Sequence, residues 1–196
     1  MTQESDKIGP FSHSDSQQES LENPSLATNK QVNQTLEWKR QREIALDLIE
    51  KMKNPASQKE EEVLNKGISN VVARIYCEYR KLKPYKYVKP NINLELARQV
   101  LIRVFEAYLP EDPPENIQLR SDNIFTQYTR TRTDKILPRP LALLIRFYGL
   151  DGVSRHPSQL TDERGVTQTA IYLNANRTIL QLSRNAQIQA LLLKDG

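Results

Sequence analysis

The chain has 196 residues, 38% hydrophobic and 27% charged, with a formal net charge of +4 and an isoelectric point near 9.1. A single cysteine, Cys77, excludes an internal disulfide framework and a cysteine zinc cluster, and suits a reducing compartment. Only 6 glycines stand among many helix formers, so an all-α fold with a modest core is expected rather than a sheet protein.

Residues 1–34 are largely Ser, Gln, Asn, Glu and Asp. They bury too little apolar surface to offset ordering entropy, so a disordered N-terminal tail is expected. A helical module over 35–109 follows. Thr35 suits an N-cap, and Leu36, Ile44, Leu46, Leu48, Ile49 and Met52 recur at helical spacing. Asn54-Pro55 stops that helix, because a residue before proline avoids the α region. Ser57 with Glu60 forms a capping box for a second helix, which ends before Pro84 and carries Leu64, Ile68, Val71, Val72, Ile75, Tyr76 and Tyr79 on its apolar face. Asn93 caps a third helix to Leu109, with Leu94, Ala97, Val100, Leu101, Val104, Phe105 and Tyr108 facing inward.

The run from Pro110 to Pro114 breaks any helix or central strand, so a Pro-rich linker over 110–134 and a domain boundary are expected. Beyond it lies a C-terminal domain, 135–196. It comprises an apolar run from Leu137 to Leu150, a turn at Asp151-Gly152, and a short helix from Pro157 to Arg164. A last helical stretch from Thr167 to about Leu193 breaks near Asn185.

This C-terminal pattern predicts a helix-turn-helix: a supporting helix, a tight turn, and a second helix for the major groove. Pro157 suits a first helical position, where its missing N–H costs nothing. Leu160 points inward, Gly165 supplies a left-handed turn position, Val166 packs under the turn, and Thr167 caps the next helix. Ile171, Ile179 and Leu182 form that helix's buried face.

Leu137-Pro138, then Tyr148-Gly149-Leu150-Asp151-Gly152, then Gly165-Val166-Thr167 resembles region 4 of sigma-70-type transcription factors. The resemblance covers the C-terminal third of the chain. It implies a bacterial transcription protein that binds double-stranded DNA at promoters, with the RNA polymerase core as a further partner. Gln168, Thr169 and Tyr172 would be the contacting residues, Thr167 the cap, and Arg155, Arg164 and Arg177 the backbone charges. The family carries Arg, Glu and Gln at the start of this helix, whereas here stand Gln168, Thr169, Ala170, Tyr172 and Leu173, with no cation before Arg177. Gln reads adenine through paired hydrogen bonds and Tyr bonds phosphate. The alternative is a protein-interaction module that keeps the scaffold and binds polymerase or another regulator without reading DNA. Ala170 and Leu173 favour that version.

The overall layout also resembles small two-domain sigma factors of the extracytoplasmic-function type. Val100, Leu101, Val104 and Phe105 match the apolar positions of their polymerase-binding helix. Arg98, Gln99 and Arg103 replace the acidic residues usual there.

From Arg74 to Lys89, six of sixteen residues are cationic, namely Arg74, Arg80, Lys81, Lys83, Lys86 and Lys89, with four tyrosines interleaved. Cations neutralise phosphates and aromatic rings stack on unpaired bases, so a nucleic-acid contact surface is expected here. The competing reading is a solvated helix end with core tyrosines and lysines drawn to the helix C-terminus. Arg130, Arg132, Lys135 and Arg139 form a second basic cluster before the motif, expected to touch the DNA backbone.

His13 lies in the tail and His156 precedes the short helix, which it is expected to help cap. Neither has metal-ligating partners at useful spacing. The sequence contains no Gly-rich phosphate loop or nucleophile elbow. No enzyme activity, cofactor, metal or small-molecule substrate is expected. The acidic N-terminus lacks a signal-peptide pattern, and there is no run of about 18 apolar residues. A cytoplasmic, nucleoid-associated protein without membrane partners is expected.

Overall fold

The computed structural model describes residues 24–82, 90–113, 137–164 and 167–193. Every regular element among them is an α-helix, as the composition implied: α1 (Pro24–Lys53), α2 (Gln58–Tyr79), α3 (Leu94–Ala107), α4 (Pro138–Tyr148), α5 (Pro157–Arg164), α6 (Gln168–Leu182) and α7 (Ala186–Leu193).

Local chemistry sets most boundaries. α1 begins at Pro24 rather than at Thr35. Proline's fixed φ and missing N–H suit a first helical turn. The rest of the expected tail, 1–23, lies outside the described residues. The Ser57 hydroxyl accepts the Glu60 N–H, while the Glu60 carboxylate reaches back to the Ala56 N–H at 2.8 Å, one residue before the capping-box position. Asn93 caps α3 by accepting the Leu96 N–H at 3.0 Å. α4 starts on Pro138 and ends at Gly149, whose φ of 68° is left-handed. Asn185 separates α6 from α7 and caps α7 through the Gln187 and Ile188 N–H groups.

One apolar cluster draws side chains from both halves of the sequence. Leu48, Met52, Leu64, Ile68, Leu101 and Phe105 meet Leu141, Leu144, Ile145, Ile179, Leu182 and Leu192. Complete burial of each such side chain contributes about 1.5–3 kcal/mol. The helical module and the C-terminal helices, expected as separate domains, therefore share this core. Of the expected linker, 114–134 lies outside the described residues. Its start is fastened to α1: the Trp38 indole N–H donates to the Pro110 carbonyl at 3.2 Å, and Arg42 Nε donates to the Leu109 carbonyl at 2.9 Å.

α3 lies antiparallel to α1. Near the start of α3, buried Arg98 donates from Nε to the Met52 carbonyl at 2.7 Å and from Nη2 to the Lys53 carbonyl at 2.6 Å. These are the orphan carbonyls that end α1, and a cation suits them. Leu101, Val104 and Phe105 are fully buried in the chain's own core, with Val100 packed partly against it. α2 and the end of α4 approach through Gly67, where an added Cβ would sit 2.3 Å from the Tyr148 carbonyl oxygen.

Candidate nucleic-acid interface

The helix pair read as a helix-turn-helix corresponds to α5 and α6. Leu143 of α4, Leu160 of α5 and Ile171 of α6 form a small separate cluster, backed by Phe147. That cluster seats α5 against the first turns of α6. Gly165 and Val166, expected to make the turn, lie outside the described residues. Thr167 caps α6 as its sequence position implied, its hydroxyl accepting the Ala170 N–H at 3.3 Å.

Burial of Ile171, Ala175, Thr178, Ile179 and Leu182 leaves the opposite face of α6 to solvent. Gln168, Thr169, Tyr172, Leu173, Asn176, Arg177 and Leu180 are exposed there. Tyr172 stacks edge-on against Phe147, with ring centroids 5.3 Å apart, so one side of its ring is held while the residue stays open to solvent. α6 contains no Asp or Glu, and its N-terminal amides carry the positive end of the helix dipole. Its exposed face is electrostatically open to a polyanion but weakly charged, since Arg177 is the one cation of α6.

The other candidate cations differ in availability. Arg155 is engaged by Asp151 through two bonds of 2.8 Å, Nη1 to Oδ1 and Nη2 to Oδ2. With Asp151 only 2% and Arg155 15% exposed, the pair is a neutralised staple behind the α4–α5 turn. The backbone-contact role expected of Arg155 conflicts with that engagement. Arg164 ends α5, and its side chain lies outside the described set. His156 Nδ1 accepts the Ser158 N–H at 3.3 Å, which fits its expected capping role.

Arg74 reaches across from α2, and its Nη2 donates to Asn176 Oδ1 of α6 at 3.1 Å. Arg80 lies 5.6 Å from the centre of the Tyr76 ring and is exposed, as is Lys81, which has a φ of 52° at the end of α2. Lys83, Lys86, Lys89, Arg130 and Arg132 lie outside the described residues, and so does Lys135. Sequence reasoning did not single out Asn176, Leu180 or Arg184. Asn176 and Leu180 share the helical period of Thr169, Tyr172 and Leu173, a signal available in advance. The partnership of Asn176 with Arg74, 102 residues away, had no such signal.

Among the described residues no helix is long and apolar enough to cross a membrane. No group of three or more His, Cys, Asp or Glu there is placed to hold a metal ion. No protein-family model, curated protein or solved structure matches the chain.

Proposed function

We propose that this chain is a DNA-binding transcription protein acting at promoters, with α6 as the helix presented to the major groove. The carrying observation is the exposed, carboxylate-free face of α6 that begins at Gln168 and Thr169 and is held from behind by α5. In helix-turn-helix recognition the first residues of the second helix meet base edges, while later turns rise toward the backbone. Gln168 and Thr169 then supply hydrogen bonds to base edges, Leu173 meets thymine methyl groups, and Tyr172 and Arg177 contact phosphate. Arg155 is left out of the contact set because Asp151 occupies it.

A fluorescent random-sequence duplex titrated across a salt series by anisotropy tests the reading. Binding with a steep negative salt slope is expected. Gln168→Ala with Tyr172→Ala should weaken binding to a selected site by at least tenfold. Unchanged affinity in that double variant would refute the role of α6.

A second reading, docking to RNA polymerase or another regulator, draws on Leu173 and Leu180. They are 51% and 41% exposed on the same face of α6, and exposed apolar residues at one helical period suit a protein groove. Leu173→Ser with Leu180→Ser would abolish capture of nuclease-treated polymerase under this reading. Under the DNA reading the same variant keeps the salt slope.

A further inference from the structure

α6 alone is poor in cations for a helix that meets a polyanion, and the structure sets a second helix beside it. The relative direction of α2 and α6 follows from their contacts. Gly67 of α2 lies against Tyr148 at the end of α4, and Phe147, next to Tyr148, holds Tyr172 of α6. One stretch further along α2, Arg74 bonds Asn176, further along α6. The two helices therefore run the same way, and their C-terminal ends lie toward the same end of the molecule. α3 ends there as well, since the Asn185 amide donates to the Tyr108 hydroxyl at 3.1 Å.

That end carries exposed Arg80 and Lys81 after α2, exposed Arg177 on α6, and exposed Arg184 in the turn after α6. Among the described residues at the ends of α2 and α6, the exposed carboxylate of Glu78 stands against these four cations, while Glu106 at the end of α3 and Asp112 after it pair with Lys53 and Lys39. Resting on the duplex-binding reading above, we infer that Arg80, Lys81, Arg177 and Arg184 form one phosphate-binding track for the backbone of the same DNA duplex that α6 enters. Arg74 and Asn176 hold the two helices at that spacing. At 1.5 Å rise per residue, Gln168 and Thr169 stand about 12–14 Å along the helix axis from Arg177. Base-edge contacts and the track are thus at opposite ends of α6, and a duplex entered by the N-terminal end meets the track with its flanking backbone. Arg80, with its guanidinium over the Tyr76 ring, has lost part of its rotational freedom before binding. Arginine forks match phosphate oxygens in pairs.

The test uses the full chain and a fluorescein-labelled random-sequence duplex, with anisotropy read over a potassium chloride series. The variant Arg80→Ala, Lys81→Ala, Arg184→Ala removes exposed side chains only, and an unchanged melting curve establishes its fold. Each phosphate contact contributes about 0.9 to the slope of log affinity against log salt, so the slope should shrink by about 2–3. Low-salt affinity should fall by on the order of 10–100-fold. The charge-retaining variant Arg80→Lys, Arg184→Lys should keep the wild-type slope. An unchanged slope in the alanine variant, with the wild type still binding duplex, overturns the track and leaves the role of α6 standing. Wild-type protein that fails to bind duplex at low salt overturns both. Tighter binding of a single strand of the same length than of the duplex overturns the assignment of the track to duplex backbone.

Discussion

Gly67→Ala sets local propensity against tertiary packing, and the two give opposite signs. Gly67 lies inside α2, where replacing glycine by alanine ordinarily stabilises a helix by about 1 kcal/mol. Here the new Cβ would stand 2.3 Å from the Tyr148 carbonyl oxygen and 3.1 Å from Leu150 Cδ2. The nearer atom is backbone and cannot rotate away, so the end of α4 must retreat by about 1 Å from α2 to restore ordinary contact. Overpacking of this kind costs about 1–3 kcal/mol and sometimes more, and a rigid backbone neighbour places it at the upper end. Leu150 belongs to the shared core and Tyr148 packs against it, so the displacement opens contacts beyond Gly67 itself. The net expectation is destabilisation by about 1–2 kcal/mol, a fall in Tm of about 2–8 °C for a chain of this size. Thermal and urea unfolding followed by circular dichroism would measure it. A Tm equal to or above that of the wild type would refute the close approach of α2 and α4.

Two further outcomes concern charged pairs. Arg155→Ala leaves the Asp151 carboxylate buried without its partner. It should destabilise toward the lower end of about 3–5 kcal/mol, because Arg155 keeps some solvent contact. Asp151→Leu with Arg155→Met should recover most of that loss in urea titrations, and failure to recover would show that the pair does more than neutralise itself. Lys53 has its ammonium pKa raised above the ordinary 10.5, chiefly by a hydrogen bond to Glu106, with Glu50 adding to it. A raised folded-state pKa means that this stabilisation is complete below 10.5 and is lost as pH rises through the higher folded value. Exposure of 38% at Lys53 keeps the effect small. The urea midpoint of wild type should fall toward that of Glu106→Gln only at alkaline pH, and a constant gap between the two would count against the pair.

The α6 region was the most legible part of the site. Thr167, Gln168, Thr169 and Tyr172 fall at the cap and exposed start of α6, because caps and helical period act over three or four residues. Arg155, expected to supply backbone charge, is paired with Asp151. Its spacing of four residues from Asp151 was visible, but the burial that makes the pair a staple was not. Arg98 and Arg103 looked alike in sequence, yet Arg98 is buried on the carbonyls that end α1 while Arg103 is exposed.

By itself, the sequence determined the all-helical class, the breaks at Asn54-Pro55 and Asn185, and the caps at Ser57, Asn93 and Thr167. Those features come from steric and hydrogen-bonding preferences within one helical turn, which nearby residues dictate. Tertiary structure alone decided that the N-terminal and C-terminal helices share a core, that Gly67 must lack a side chain, and that Arg74 meets Asn176. Such choices depend on which apolar stripes pack together and in which direction, and stripes of similar width and composition leave several pairings open until close packing selects one.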